Sequence, residues 1–215
     1  MIISLDKKFV CINPPKTGTG YRESIFKTVS DYSVNGVSEK MLKLLPDIKH
    51  DPIKHRHAKI DDAITFLYES GLDHNDFYFF TFVRNPWHRI ESWYNMLINQ
   101  QVQRNRDSKN RIIEQYINAK EFAKYVRKRQ HVIDGYIHGE KRNIDFYGKL
   151  ETIDTDLQKL AEILDLKIQP STGNRCQKNM ISYHDKIKQL WNDVLIQLVA
   201  EDNKYIIDTF NYKPD

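Results

Sequence analysis

An α/β fold with a central, mainly parallel β-sheet flanked by helices is the architecture this sequence predicts, on three observations. The apolar run Phe9-Val10-Cys11-Ile12 opens into the Gly- and Thr-rich stretch Pro14–Gly20, PPKTGTG, and then into helical apolar spacing. Phe77–Val83 reads FYFFTFV, nearly all apolar and rich in β-formers, as a strand covered on both faces does. Strand–loop–helix units recur along the chain, which is the pattern of parallel strands joined by crossover helices. With 215 residues the chain suits one domain, 1–215, with a sizeable buried core.

Each element has a local reason. Residues 8–13 form the first strand and 19–30 the helix after the loop. Residues 31–56 are mixed, with a short apolar patch, Met41 to Leu45, ended by Pro46. Ile60, Ile64 and Leu67 then fall on one helical face. After the strand at 77–83, Asn85 can cap a helix whose first residue is Pro86, a position that tolerates proline because its N–H would be unbonded anyway. That helix runs through Met96 and past Gln100. Residues 104–130 are strongly charged and read as one or two surface helices. IDFYGKL, 144–150, is a third strand. The following TDLQKLAEILDL puts Leu157, Leu160, Ala161 and Leu164 on one face. Residues 169–174, QPSTGN, make a loop, and Tyr183 to Tyr212 is mostly amphipathic helix.

Composition narrows the function classes. Forty per cent apolar and 29% charged residues are ordinary for a globular protein. A formal net charge of +4 is a mild bias toward anionic partners, far short of a dedicated nucleic-acid binder. Two cysteines, Cys11 and Cys176, cannot build a disulfide framework, and Cys11 reads as a small core residue; one bridge between the two stays open. The first ten residues lack the apolar stretch of a signal peptide, and no segment has the roughly 18 apolar residues of a membrane span, so the expected location is cytoplasmic.

Two segments point to anions. A Gly-rich loop between a strand and a helix grips phosphate through backbone N–H groups and the positive end of the helix dipole. The nucleotide-hydrolase loop G-x-x-x-x-G-K-[ST] places its Lys after the second Gly, whereas Lys16 precedes both Gly18 and Gly20 here. The second segment is FTFVRNPWHRIESWY. Arg84 ends the strand, Asn85-Pro86 starts a helix, and Arg89 and Ser92 share a face through their three-residue spacing. An Arg and a hydroxyl near a helix start can form charge-assisted hydrogen bonds to a second phosphate. The same residues also fit a strand-end Arg paired with an acid and a helical Ser facing water.

Taken together, PKTGTG and R-N-P-x-x-R-x-x-S-x-Y resemble the PAPS-dependent sulfotransferases, most closely the carbohydrate-type branch. Arg84, Asn85, Pro86, Arg89, Ser92 and Tyr94 match the second pattern at its fixed positions. HAKIDDAI, DFYGKLETIDTDL and KYIIDTFNY also look similar, so the likeness spans most of the chain. The resemblance implies the P-loop nucleotide-kinase-like sulfotransferase fold. It implies that Pro15, Lys16, Thr17, Gly18, Thr19 and Gly20 cradle the 5′-phosphosulfate of 3′-phosphoadenosine-5′-phosphosulfate (PAPS), while Arg84 and Ser92 hold its 3′-phosphate. One departure stands out: the family carries Thr or Ser where this chain has Gly20, so Thr17 and Thr19 are expected to take up more of the contacts.

Sulfuryl transfer to a hydroxyl is an in-line displacement governed by positioning and electrostatics. Lys16 suits neutralisation of charge on the departing phosphate. No divalent metal is required, because the leaving group carries less charge than a diphosphate. The base is expected among the histidines of KHDPIKHRHAK, which holds His50, His55 and His57. His57, which opens HAKIDDAI, is the first choice although Ala58 follows it directly, and His55 is the second, since it fits the family's H-x-x-A stretch through Ala58. A metal site on His55-x-His57 lacks a recognisable third ligand. Glu151 reads as a helix-capping acid or as an acceptor contact. Asn174 and Arg175 could close over the adenosine or lie in a plain loop, and Trp87, Trp93 and Tyr94 read as core. The basic run 124–131 is a solvated face or, beside the acceptor, a preference for an anionic glycan. The expected acceptor is a glycan or another hydroxyl-bearing molecule. Two competitors remain: a nucleotide-dependent kinase and a non-catalytic polyanion-binding protein using 104–131.

Overall fold

The computed structural model describes residues 1–48, 56–128, 133–167 and 181–214. Within the stretch that the sequence marks as one domain, the chain packs as two compact units: Met1–Val83 with Ile133–Gly173, and Arg84–Val132 with Asn174–Asp215.

The first unit is built on a six-stranded sheet. Its strands are β1 (Ile2–Ser4), β2 (Phe9–Ile12), β3 (Tyr32–Ser33), β4 (Gly36–Val37), β5 (Tyr78–Val83) and β6 (Phe146–Lys149), in the order β4-β3-β1-β2-β5-β6. β2 pairs in parallel with β5, and β5 in parallel with β6, so the strands expected at 8–13 and 77–83 are neighbours. The mainly parallel sheet expected from sequence is corrected to a mixed one, because β1–β2, β1–β3 and β3–β4 are antiparallel. The reason is chain length. The link from Ser4 to Phe9 is a tight turn, with Lys8 at φ 48°, and only a crossover of a dozen or more residues could have made that pair parallel.

Alternation along the strands assigns side chains to two faces. Val10 and Ile12 of β2 and Phe79 of β5 join a core with Ile60, Ala63, Ile64 and Leu67 of α3 (Ile60–Glu69). Phe9, Cys11, Phe80 and Phe82 enter the opposite core. There they meet Tyr21 of α1 (Thr19–Ile25) and Ile153, Leu157 and Leu160 of α7 (Ile153–Ile163). Phe9, Phe26 and Phe80 form a tilted aromatic trio with centroids 5.4 to 5.6 Å apart. Burying Phe26 in it coincides with the chain tightening from α1 into a 3₁₀ turn at Phe26–Thr28, so the helix expected over 19–30 is shorter. Among the described residues this unit also has α2 (Glu39–Leu44), capped by the Ser38 hydroxyl, which accepts from Met41 N–H. Gly148 in β6 is required by close packing: a Cβ there would meet the Phe82 ring at 2.3 Å.

The second unit is helical: α4 (Pro86–Arg104), α5 (Lys109–Tyr116), α6 (Ala119–Lys128), α8 (His184–Lys188), α9 (Asp193–Asp202) and α10 (Lys204–Phe210). Its core gathers Trp87, Ile90, Tyr94 and Ile98 of α4 with Phe122 and Val126 of α6 and Leu195 and Val199 of α9. The described part of the charged stretch, 104–128, thus holds the two helices α5 and α6, and α6 turns Lys124, Arg127 and Lys128 to solvent while burying Phe122 and Val126. Trp87 donates to Ile196 O at 3.2 Å and Tyr94 to Tyr116 O at 2.6 Å, so these aromatics serve the core as expected.

Candidate active site

The strands β2, β5 and β6 run in parallel, so their C-terminal ends share one edge of the sheet, where open α/β sheets present ligand-binding residues. The PKTGTG loop starts at that edge. Lys16 and Gly18 both take left-handed backbone conformations, with φ 65° and 82°. Gly18 is also the cap residue of α1, and a Cβ there would meet Leu150 Cδ1 at 2.7 Å. A side chain is therefore excluded by backbone and by space together. Gly20 is different: it is exposed, and a Cβ on it would meet nothing within 4 Å. Tyr21 N–H bonds Gly18 O at 3.1 Å, and the N–H groups ahead of it in α1 have no acceptor within the helix, as at any helix start. Pro15, Lys16 and Gly18 are half-buried.

The two threonines behave otherwise than expected. The Thr17 hydroxyl donates to Pro14 O at 2.8 Å and that of Thr19 to the same oxygen at 3.4 Å, and both residues are buried. Their hydroxyls brace the turn, which leaves their backbone N–H groups as the means by which they would meet a phosphate.

Beneath the loop lies a residue that sequence reasoning passed over. Arg22 of α1 is 0% exposed, and its guanidinium lies over the Phe82 ring at 4.9 Å. It donates to Asn13 Oδ1 from Nε (3.2 Å) and Nη2 (3.0 Å), to Thr17 Oγ1 (3.1 Å) and to Thr17 O. One side chain thus ties Asn13, the residue that follows β2, to the middle of the loop. Asn13 Oδ1 also accepts the Cys11 thiol at 3.4 Å, while its buried Nδ2 makes no hydrogen bond. Burial pushes the Cys11 thiol up and holds it neutral.

His57 meets the same asparagine. Its Nδ1 lies 2.7 Å from Asn13 O. A carbonyl only accepts, so Nδ1 carries the proton and Nε2 keeps its lone pair. Burial lowers the His57 pKa, against the hydrogen bond to Asn13 that raises it. The segment is held a second time by Arg56, whose Nη2 bonds Glu23 of α1 at 2.9 Å. His55, the alternative base, lies outside the described residues, as do His50, Asn174, Arg175 and Cys176.

Glu151 is exposed, and the acid that serves the end of β6 is Asp156. It accepts from Lys149 N–H at 2.9 Å and from the Thr152 hydroxyl at 2.7 Å. Burial raises its pKa, but these bonds and Lys159 outweigh it and the carboxyl is held below its ordinary value.

In the helical unit, Asn85 caps α4 as expected: its Oδ1 accepts from Trp87 N–H at 3.1 Å and His88 N–H at 3.4 Å, and its Nδ2 donates to Lys213 O at 2.8 Å. Arg84 precedes this cap and is half-buried, as are His88 and Ser92, which lie one turn apart on one face. Arg89 does not join them. It is 1% exposed and donates to Asn203 Oδ1 at 3.2 Å, so although it stands one turn from Ser92 on α4 its guanidinium is committed to the interior. A residue without any sequence signal does come near: His184, whose Nδ1 is 3.9 Å from Glu91 Oε2. Burial lowers its pKa and the Arg84 charge lowers it further.

Among the described residues no three His, Cys, Asp or Glu side chains gather as a metal site would need, and no helix is long and apolar enough to cross a membrane. No match was found among curated proteins or among solved structures. A family model does match. The Sulfotransferase family model covers residues 1–213, and the chain belongs to that family of sulfuryl-transferring enzymes.

Proposed function

We propose that this protein transfers the sulfuryl group of PAPS to a hydroxyl of a carbohydrate acceptor, with His57 as general base. The observation that carries the reading is the 2.7 Å contact between His57 Nδ1 and Asn13 O. It joins a correctly protonated imidazole to Asn13, two residues before the PKTGTG loop, although the two are far apart in sequence.

PAPS supplies an activated sulfuryl group on a phosphate that leaves readily. The chain's own residues do the rest. Backbone N–H groups from Lys16 to Gly20, arranged by the left-handed turns at Lys16 and Gly18, bind the 5′-phosphosulfate in a P-loop-like cradle. Lys16 offers a mobile positive charge to the leaving phosphate. Arg84 and Ser92 take the 3′-phosphate at the start of α4, where the helix dipole adds to the charge. His57 Nε2 receives the acceptor proton, while Asn13 O fixes the ring and favours the charge it gains. Because burial lowers its pKa, His57 is neutral and competent at neutral pH.

The test has two arms. The protein should bind adenosine 3′,5′-bisphosphate in the presence of a chelator, and should pass label from a ³⁵S-labelled donor to members of a panel of neutral and anionic glycans. Magnesium-dependent ATP turnover with no bisphosphate affinity would favour the kinase reading. Salt-sensitive binding to heparin-like polymers without bisphosphate affinity would favour a polyanion-binding protein.

A further inference from the structure

A fully buried guanidinium whose hydrogen-bond acceptors are all neutral is a costly thing to keep. Arg22 is 0% exposed, and it bonds the amide oxygen of Asn13 and the carbonyl and hydroxyl of Thr17. The adjacent buried acid, Glu23, favours the Arg22 charge through its field but gives its hydrogen bond to Arg56 and is shared with that second cation. Charges taken out of water without full pairing carry a penalty of several kcal/mol. A further negative charge on the other side of the turn that Arg22 supports would offset it.

The second oddity is Asn13. Its side-chain oxygen is crowded by Arg22 and Cys11, its Nδ2 makes no hydrogen bond, and its backbone oxygen holds His57. An aspartate of the same shape would pair with Arg22 and lose no hydrogen bond at Nδ2. The chain keeps the neutral amide, which leaves the charge under the loop unspent.

We infer that Arg22 is a positioning residue that couples the donor loop to the base: through Thr17 it sets the loop and charges it for an anion, and through Asn13 it sets the carbonyl that orients His57. The inference rests on the PAPS-dependent reading. It makes Asn13 the junction at which an occupied loop is felt by the imidazole, so base and donor are aligned by one part. Glu23–Arg56 supports the same segment from the next residue of α1.

Three variants of the full chain test it: Arg22→Gln removes charge and fork, Arg22→Lys keeps charge only, and Asn13→Asp neutralises the charge while keeping the shape. Calorimetry with adenosine 3′,5′-bisphosphate reads the loop, and ¹⁵N NMR of the imidazoles reads the tautomer and pH titration of His57. The expected result is about a tenfold or greater loss of affinity in Arg22→Gln and Asn13→Asp, with a smaller loss in Arg22→Lys. In Arg22→Gln and Arg22→Lys the Nδ1–H form of His57 should also give way to a mixture of tautomers. Should Arg22→Gln fail to fold, Asn13→Asp carries the affinity arm and Arg22→Lys the tautomer arm. Wild-type protein that does not bind the bisphosphate overturns the PAPS reading and this inference with it. Wild-type binding with affinities within twofold in the folded variants and an unmoved His57 overturns the inference alone, leaving Arg22 a prop.

Discussion

The two anion-directed segments are built on opposite plans. The PKTGTG loop is a backbone device, in which left-handed turns aim N–H groups, the hydroxyls of Thr17 and Thr19 turn inward to Pro14 O, and a buried Arg22 holds the shape from below. The start of α4 is a side-chain device, in which the Asn85 amide makes the cap and Arg84, His88 and Ser92 stand half-buried beside it. A backbone site is selective for geometry and intolerant of change in its supports. A side-chain site is more forgiving in shape and is weakened one contact at a time.

That contrast can be tested from its strongest consequence downward. His57 is tied to the backbone device through Asn13 O, and the proposed reading has it act on the acceptor. Its replacement by Ala should cost about 10²–10⁴ in turnover, the range of general base catalysis, with bisphosphate affinity nearly unchanged in calorimetry. The neutral imidazole is the active form and burial lowers its pKa, so wild-type turnover should be flat above neutrality. It should fall as pH drops through a value below the ordinary imidazole 6.5. A midpoint above 6.5, or an Ala variant with full turnover, would remove His57 from the role.

Next comes Arg84→Ala. A charge-assisted hydrogen bond of about 1.5–3 kcal/mol predicts roughly ten- to hundredfold weaker binding of adenosine 3′,5′-bisphosphate. A nucleotide lacking the 3′-phosphate should bind as before. Equal losses for both would make Arg84 part of the frame.

The smallest effects sharpen the backbone side. Gly18→Ala places a Cβ at φ 82° and 2.7 Å from Leu150 Cδ1, which should cost at least about 1–2 kcal/mol of stability and weaken nucleotide binding. Gly20→Thr meets open space and restores the hydroxyl that the family carries there. Its thermal midpoint should stay close to wild type, and any change in bisphosphate affinity should be a gain. A large loss of stability in Gly20→Thr would show that the loop tolerates nothing at either glycine.

How much of this could be read from sequence depended on range. β5 was plain because seven consecutive residues shared one character, and the Asn85-Pro86 start of α4 because capping is decided by adjacent positions. β1, β3 and β4 span only two or three residues each, too few to carry a period, and they are what turned a parallel sheet into a mixed one. The loop was legible as a turn between strand and helix, but the direction of its threonine hydroxyls was not, since Pro14 O became the acceptor only once the turn closed. Arg22 drew no reading, and Arg89 was read only for its place in the motif beside Ser92. Their burial depends on acceptors at Asn13, Thr17 and Asn203 and on the Phe82 ring, which local patterning does not reveal. His57 was reached through a resemblance, and its tautomer only through Asn13 O.

Cys11 turns this architecture into something that can be timed. The thiol is 0% exposed under the loop, and burial keeps it protonated, so a maleimide or disulfide reagent meets a reactive thiolate only when β2 opens. In protein carrying Cys176→Ser, the labelling rate becomes a clock for that opening. A ligand that binds only the closed form slows the clock by the factor 1 + [L]/Kd, so the grip on a nucleotide can be read from the silence of one sulfur atom.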